Sequence, residues 1–457
     1  MTTSELRVPG DVHAALMRDI TRPEEWAGYL LCGMSREGDR ELLLARDWVP
    51  VPDEHQLTGT GHGFSWHPDF DVEMLNRAQR EHLACVILHY HGGPSPTLGE
   101  LSDRQTANSL MPFLSAEAPG RPHVFGVLGD HAVSGTVFRD GHEAGRLAGM
   151  RVSGSSLDDW NVGPRRQGEP DHDPRHDRMI RGFGEEAYRR LRASTVGVVG
   201  CGGGGSHVVQ QLAYLGVGSL VVVDGDVVEA TNLNRLIGAV PARRSRPLVD
   251  RILRRGRGDI GRPKVDVMRR LVDSIDESTQ VQAIQDHFPS GETVETLRGC
   301  DIVIACVDRL QVRDDLNRLC KRYLIPLLDV GLEITPHPES NGAVGAISGR
   351  VTKVLADGPC LRCQGVIDDA KLAAERDGQP MGYAGSARIP DPAVVTLNGI
   401  VASTAATEVL QLLTGFAGDS APNCGWIYDG LRGVTERVVK PFRGCTACQA
   451  ERALGDV

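Results

Sequence analysis

The sequence lacks both a long hydrophobic run and an excess of basic residues. No apolar segment approaches the roughly 18 residues that a membrane-spanning helix needs. The first ten residues have neither the basic start nor the apolar stretch of a secretory signal. The 457 residues carry a net charge of −10, which argues against a general nucleic-acid or anionic-membrane partner. We therefore expect a cytoplasmic protein that binds neither nucleic acid nor membranes.

The sequence also lacks the even cysteine set of a disulfide framework, since it contains 11 cysteines. Four of them form two close pairs, Cys360 with Cys363 and Cys445 with Cys448. Two such pairs are typical of a tetrahedral zinc ion with four thiolate ligands, and such a closed site is structural. We predict this Zn²⁺ site, with unrelated buried thiols as the alternative. The metal would tie the C-terminal segment to the body of its domain.

Hydrophobic patterning divides the chain in two. A polar stretch rich in Gly, Pro and Asp covers residues 151–174 and is predicted as a linker between domains at 1–150 and 175–457. Downstream, short buried runs such as 194–200, 219–224, 301–306 and 325–330 alternate with helical segments. This pattern is typical of an α/β fold with a doubly wound, mostly parallel Rossmann-like sheet.

A glycine-rich loop, residues 200–206, lies between the first of these strands and its helix. Such a loop lets the backbone approach a phosphate at the helix N-terminus, and Asp224 after the next strand suits a ribose hydroxyl. A dehydrogenase would share these features. The motifs Asn232–Arg235, Gly261–Lys264 and Cys306–Asp308 favour nucleotidyl transfer instead, because that reaction must neutralise a triphosphate and hold Mg²⁺.

With these motifs and Arg175-His-Asp-Arg178, residues 175–448 resemble the ThiF/MoeB-type ubiquitin-activating (E1-like) superfamily. That family adenylates the C-terminal glycine of a ubiquitin-like or sulfur-carrier protein with ATP and Mg²⁺. The resemblance implies that Asp224 holds the ribose and that Asp308 binds Mg²⁺. Arg178 would act across a homodimer on the γ-phosphate of ATP in the partner subunit. The implied nucleotide-binding set is Gly200, Gly202, Gly203, Gly205, Asp224, Asp226, Asn232, Arg235, Lys264 and Asp308, and the implied catalytic residues are Arg178, Arg235, Lys264 and Asp308.

One departure concerns the next step of the family's chemistry. Members that pass the activated tail onward usually carry a cysteine in the crossover segment, whereas residues 379–385 contain none. We therefore expect the reaction to stop at the acyl-adenylate or to pass it directly to an outside thiol or amine. Cys424 is the nearest downstream alternative, and a core thiol is the favoured interpretation of it.

The N-terminal half has a β-type run, residues 84–91, that ends in His89 and His91. Strand alternation places both imidazoles on one face, and with Asp103 they can hold zinc while leaving one position for water. Residues 5–145 resemble the JAMM (JAB/MPN) metalloprotease family, which implies an α/β domain with Glu25 as general base and Ser102 as oxyanion donor. Glu24 competes with Glu25, and Gly92 stands where the family has proline.

Together the two resemblances predict a bifunctional enzyme that activates a ubiquitin-like or sulfur-carrier partner and also processes or releases it. Fusion would keep both activities at high effective concentration around one substrate. Two alternatives stay open. One is adenylation of a peptide or small carboxylate in natural-product biosynthesis, and the other is an N-terminal domain that serves only as a docking module.

Overall fold

The chain forms two compact units in the computed structural model. The first contains Met1–Pro164, Lys321–Leu324 and Gln449–Val457, and the second contains Arg165–Cys320 and Ile325–Cys448. The structure describes residues 3–20, 26–38, 40–57, 65–91, 93–99, 102–160, 173–241, 258–337, 344–378, 392–418, 425–438 and 444–456. No helix among these residues is long and apolar enough to cross a bilayer.

The first unit is a β-sheet flanked by three helices. Its elements are β1 (Thr3–Pro9), α1 (Gly10–Ile20), β2 (Ala27–Glu37), β3 (Arg40–Pro50), α2 (Pro68–Arg80), β4 (Ala84–Tyr90), α3 (Ser102–Glu117), β5 (His123–Gly129), β6 (Ala132–Arg139), β7 (His142–Ser153) and β8 (Leu157–Trp160). The strand order is β1-β3-β2-β4-β5-β6-β7-β8, and β1 also pairs with β7. This additional pairing closes the sheet on itself.

Alternation along β4 divides its side chains between two hydrophobic clusters. Val86 and Leu88 belong to a cluster that includes residues of α1, whereas Cys85 and Ile87 belong to one that includes residues of α2 and α3. Both clusters are apolar, so the strand is hydrophobic on both faces. His89 continues the second set, and its ring contacts Phe125 of that cluster at 5.4 Å between centroids. The alternation thus directs His89 to the side of the sheet that carries α3.

The second unit also contains an eight-stranded sheet. The remaining elements of the chain are α4 (Asp177–Phe183), α5 (Glu185–Ala193), β9 (Thr195–Val199), α6 (Gly203–Leu215), β10 (Ser219–Val223), α7 (Lys264–Ile275), β11 (Gln280–Ile284), α8 (Gly291–Arg298), β12 (Ile302–Ala305), α9 (Leu310–Tyr323), β13 (Leu327–Pro336), β14 (Val344–Val354), α10 (Asp369–Arg376), α11 (Val395–Thr414), β15 (Gly425–Asp429), β16 (Val434–Val438) and α12 (Thr446–Glu451). The order is β11-β10-β9-β12-β13-β14-β15-β16. The first five strands run parallel and the last three antiparallel.

The predicted runs at 194–200, 219–224, 301–306 and 325–330 correspond to β9, β10, β12 and β13, so the α/β sheet is confirmed. β9 lies between β10 and β12, where the strand order reverses. In sheets of this type, ligands bind beyond the carboxyl ends of the strands at that reversal. The glycine loop follows β9 and Asp308 follows β12, so both predicted motifs lie at this point.

The two units differ from the predicted domains in three places, one of which is Lys321–Leu324, a segment of the predicted second domain that belongs to the first unit. Residues 151–160 of the predicted linker are largely strand residues, because β7 ends at Ser153 and β8 pairs with it; residues 161–172 lie outside the described residues. Gln449–Val457 belongs to the first unit. Gly455 forms a bridge with Met34 of β2, and the Asp456 carboxylate accepts hydrogen bonds from the Ser35 hydroxyl (3.3 Å) and the Arg36 amide (2.8 Å).

Candidate active site and metal centres

A cavity of about 550 Å³ lies at the carboxyl ends of β9, β10 and β12. Of the predicted nucleotide-binding residues, its lining contains Gly200, Gly202, Gly203, Asp224, Asp226, Asn232, Arg235, Lys264 and Asp308. Segments more than 100 residues apart in the sequence therefore meet around one space that can accommodate a nucleotide.

The glycine loop forms the floor of this cavity. Gly200 has φ +91°, and a Cβ there would lie 2.4 Å from the Cys306 carbonyl oxygen, so only glycine fits. α6 begins at Gly203, and the first amides of a helix lack partners within it and favour an anion. Gly205 does not line the cavity: a Cβ there would lie 1.8 Å from the Gly200 carbonyl oxygen. Gly205 therefore allows close packing of helix and loop, which differs from the nucleotide contact implied for it.

The Asp224 carboxylate is held rigidly after β10. It accepts hydrogen bonds from the amides of Cys201 (2.7 Å) and Asp226 (2.8 Å), and its side chain is 8% exposed. Burial raises the pKa of Asp224, while the nearby Lys264 partly offsets that effect. Lys264 Nζ lies 2.7 Å from Asp226 Oδ2 and 3.8 Å from Asp224 Oδ1. The fixed Asp224 carboxylate therefore lies beside the Lys264 ammonium group in the lining of the cavity.

Asn232 and Arg235 are positioned by a short 3₁₀ turn, Ala230–Asn232. Asn232 Oδ1 accepts the Glu229 amide at 3.0 Å, which leaves the Asn232 amide nitrogen as its group for a ligand. Arg235 Nη1 donates to the Thr231 carbonyl oxygen at 2.6 Å. Both side chains line the cavity, and Arg235 brings a positive charge to it.

Asp308 lies in the loop between β12 and α9, and buried charges hold this loop. Arg313 donates to the Val307 carbonyl oxygen and pairs with Asp329, which is completely buried. On the C-terminal side of Asp308, the Glu375 carboxylate accepts hydrogen bonds from the amides of Leu310 (3.2 Å) and Gln311 (2.7 Å). The backbone on either side of Asp308 is therefore fixed by side chains from distant parts of the unit.

Arg178 lies on α4, is exposed, and does not line the cavity of its own chain. The lining also includes polar residues that were absent from the sequence prediction, among them His287, Arg309, Glu333 and Asn398. Arg309 follows Asp308 directly and could have been found by that position. Asn398 belongs to the first turn of α11, and no local sequence signal distinguishes it.

The four paired cysteines converge in the second unit. The Sγ atoms of Cys360 lie 3.7 Å from Cys363 and 3.6 Å from Cys445, and Cys448 lies 3.8 Å from Cys363 and 3.5 Å from Cys445. A tetrahedron with Zn–S bonds of about 2.3 Å has edges of about 3.8 Å, so the cluster fits zinc. Burial opposes ionisation of Cys445, but hydrogen bonds from Cys448 lower its pKa to about 7.

His89, His91 and Asp103 converge in the first unit. The two Nε2 atoms lie 3.1 Å apart, and Asp103 Oδ2 lies 3.4 Å from His89 and 3.7 Å from His91. Zn–N and Zn–O bonds of about 2.0–2.2 Å predict tetrahedral edges near 3.4 Å, so these three atoms fit one face of a zinc site. His91 Nδ1 lies 3.1 Å from the Thr97 carbonyl oxygen, a bond that leaves Nε2 free for a metal. Burial would raise the pKa of Asp103, but the His89 hydrogen bond and the Gly99 amide lower it.

Some of the residues predicted from the sequence cannot be placed among the described residues. Glu24, Glu25, Gly92, Cys424 and the crossover segment 379–385 lie outside the described residues. β2 begins at Ala27, directly opposite His89, two positions after Glu25 in the sequence. Ser102 is the first residue of α3, next to Asp103, and its side chain is outside the description.

Comparisons with known proteins each cover about three-fifths of this chain. The "SAMP-activating enzyme E1" of Haloferax volcanii is 29% identical over 272 residues, 58% of this chain and 84% of the relative. The "Molybdopterin-synthase adenylyltransferase" of Escherichia coli is 26% identical over 275 residues, 59% and 93% of the two chains. The crystal structure of E. coli MccB with succinimide matches with a TM-score of 0.46 and 17% identity, over 61% of this chain and 75% of that one. Residues 175–448 match the ThiF family, more than half of the sequence, and the chain therefore belongs to the ThiF family.

Proposed function

We propose that this chain uses Mg·ATP to adenylate the C-terminal glycine of a ubiquitin-like or sulfur-carrier protein. The observation that carries the proposal is the cavity that unites the glycine loop, Asp224, Arg235, Lys264 and Asp308. Membership of the ThiF family and the names of the two relatives support the same reaction class. A hydride-transfer enzyme would leave the cations and Asp308 without a role.

In this reaction a carboxylate oxygen of the carrier's terminal glycine attacks the α-phosphorus of ATP. The bond from that phosphorus to the α,β-bridging oxygen breaks, and pyrophosphate leaves with the electron pair. Asp224 would accept a ribose hydroxyl, while Arg235 and Lys264 would neutralise the phosphates. Mg²⁺ held by Asp308 would supply further positive charge to the departing pyrophosphate. The products are the acyl-adenylate and pyrophosphate.

Pyrophosphate release tests this proposal. The purified chain would be given ATP and a panel of small carrier proteins that end in Gly-Gly, each compared with a version lacking the last glycine. Asp308→Ala should lower the rate by about 100-fold or more, because a metal and its charge are lost from the transition state. Asp273→Ala, an exposed carboxylate of α7 outside the cavity, is the matched control. An unchanged rate in Asp308→Ala would show that the assigned Mg²⁺ site is wrong.

Short peptides added to the same assay test the alternative substrate class. The crossover segment 379–385 has no cysteine, a feature compatible with adenylation of a peptide or small carboxylate. Pyrophosphate release that is stimulated by short peptides and not by any carrier protein would favour adenylation of a peptide or small carboxylate.

We propose a second activity for the first unit, a zinc peptidase that processes or releases the same carrier. His89, His91 and Asp103 have the spacing for three zinc ligands and leave one position for water. When bound, zinc would lower the pKa of that water toward about 7. Glu25 would act as the general base, and Ser102 would donate a hydrogen bond to the oxyanion.

Cleavage of a carrier extended beyond its Gly-Gly end tests this activity. Glu25→Ala should abolish cleavage, whereas Glu24→Ala, which tests the competing candidate for the base, should cleave as the wild type does. If Glu25→Ala cleaves as fast as the wild type, the peptidase assignment fails. If neither the wild type nor any variant cleaves, the first unit is better explained as a docking module.

We also propose a homodimer in which Arg178 acts on the γ-phosphate of ATP bound by the partner subunit. Arg178 is exposed and does not line its own chain's cavity, which suits an action on another chain. Arg178→Ala and Asp308→Ala should each be inactive alone, and mixing them should restore about a quarter of wild-type activity through mixed dimers. No recovery on mixing, with subunit exchange verified by mass, would contradict a contribution in trans.

A further inference from the structure

Asn398 is a buried amide with an unused donor beside the glycine loop. It belongs to the first turn of α11 and is 7% exposed. Its Nδ2 has no hydrogen-bond partner among the residues that the structure describes. Leaving a buried N–H group unpaired costs stability, so such a group needs an explanation.

The position of this donor points to a ligand in the cavity. Asn398 lines the cavity, and its Nδ2 lies 2.5 Å from the place that a Cβ on Gly203 would occupy. Arg235 Cδ lies 3.3 Å from the same place. Two side chains thus converge over the first residue of α6, where unpaired helix amides attract a phosphate. A donor at this point can complete the coordination of an anionic oxygen.

The order of groups along the cavity identifies the phosphate. Asp224 follows β10, the position that holds the ribose in sheets of this kind, and the glycine loop on the adjacent strand binds the phosphate next to the ribose. Asp308 lies in the next loop across the strand reversal, where the outer phosphates and Mg²⁺ would be bound. The phosphate over Gly203 is therefore the one attached to the 5′ oxygen.

We propose that Asn398 binds the α-phosphate of the nucleotide, with Nδ2 donating a hydrogen bond to a non-bridging oxygen. This inference rests on the proposed adenylation and adds a residue that reaches the reacting phosphorus. The α-phosphate persists in ATP, in the acyl-adenylate and in AMP, so the same bond holds all three. A neutral donor suits the position because it stabilises negative charge without binding the product as tightly as a cation would.

The test is nucleotide affinity measured by calorimetry with the 457-residue chain. Asn398→Leu keeps a similar volume and removes the donor. Its affinities for ATP and AMP should each fall about tenfold, the value of one hydrogen bond to a charged group, and the affinity for adenosine should not change. Without nucleotide, its melting temperature should equal or exceed that of the wild type, because an unpaired buried group has been removed.

Gln411 provides the matched control on the same helix. It is 4% exposed, its Nε2 also lacks a partner among the described residues, and it does not line the cavity. Its Oε1 accepts the Ala417 amide at 2.7 Å, so Gln411→Leu should lose stability and keep its affinity for ATP and AMP. A purely structural role for Asn398 would produce the same signature as Gln411→Leu.

The outcomes distinguish this inference from the proposed function. If wild-type protein binds neither ATP nor AMP, the adenylation proposal fails and this inference fails with it. If the wild type binds both and Asn398→Leu binds them equally well, only the assignment of Asn398 is overturned. A loss of affinity for ATP alone, or a loss that extends to adenosine, also overturns the assignment of Asn398. Should Asn398→Leu not fold, Asn398→Asp replaces it, and its added charge should weaken AMP binding by more than tenfold.

Discussion

The buried ion pair behind Asp308 allows a prediction with a defined magnitude. Asp329 is completely buried on β13 and pairs with Arg313, which is 2% exposed, and with Arg350, whose Nη2 lies 3.0 Å away. Asp329→Asn keeps the shape of the side chain and removes its charge, so two guanidinium groups lose their counter-charge. Removing one partner of a buried pair costs about 3–5 kcal/mol. Because Arg350 is 28% exposed and can be hydrated, we expect the lower value, about 3 kcal/mol.

Calorimetry and urea unfolding followed by circular dichroism measure this loss. A unit of 150–250 residues loses about 2–4 °C in melting temperature per kcal/mol, so the transition of the second unit should fall by roughly 6–12 °C. Asp273→Asn, on the exposed face of α7, is the control and should change stability by less than about 0.5 kcal/mol. A similarly small change in Asp329→Asn would refute the reasoning, because it would show that the pair is not held as a buried network.

The same network predicts an effect on nucleotide binding. Arg313 donates to the Val307 carbonyl oxygen next to Asp308, so loosening Arg313 releases the loop that carries Asp308, the proposed Mg²⁺ ligand. The double variant Asp329→Leu, Arg313→Met replaces the buried charges with apolar groups and should recover part of the stability. It should not recover ATP affinity, because the Val307 carbonyl loses its donor. Recovery of both properties would show that the pair has no role in positioning Asp308.

Three further predictions follow from single sites. Native mass spectrometry should find about two zinc ions per chain and about one in Asp103→Ala, whereas one ion in both proteins would leave the first unit without a zinc site. Gly200→Ala should abolish tight ATP binding, because φ +91° and a 2.4 Å approach to the Cys306 carbonyl oxygen exclude a side chain, and calorimetry would contradict this if affinity were unchanged. Burial lowers the pKa of His123 to about 4, below its unfolded value near 6.5, so its contribution to stability is complete above pH 6.5 and is lost as the pH falls toward 4. Urea unfolding should show about 2–3 kcal/mol less stability at pH 4.5 than at pH 7 from this residue, a difference that His123→Gln should remove.

Local sequence patterns predicted those parts of the structure that depend on local chemistry. The β-branched runs of β9, β10 and β12 predicted parallel strands because each is buried on both faces, and the glycine loop could be recognised by its place between a strand and a helix. The Cys pairs were informative although Cys360 and Cys445 are 85 positions apart, because each pair has ligand spacing of its own.

Other features depend on partners that no local pattern identifies. Asn398 lies over Gly203 only because α11 packs against α6, and its sequence context is that of an ordinary apolar helix. Gly205 belongs to the same glycine run as Gly200 and Gly203, yet its role is set by the carbonyl oxygen beneath it. Periodicity indicates that a strand or helix has a buried face, but it does not say which element covers that face.

The pairing of Gly455 with Met34 has a consequence for the order of events during synthesis. The Ser35–Asp456 contact spans 421 positions, so β2 emerges from the ribosome long before the segment that pairs with it. At about 5–20 residues per second, the interval is on the order of tens of seconds to more than a minute. During that time one stretch of β2 backbone lacks its final partner, and such an unpaired edge favours association between chains. Slow translation or truncation before residue 449 should therefore increase aggregation through the N-terminal sheet, although the missing residues lie far from it in the sequence.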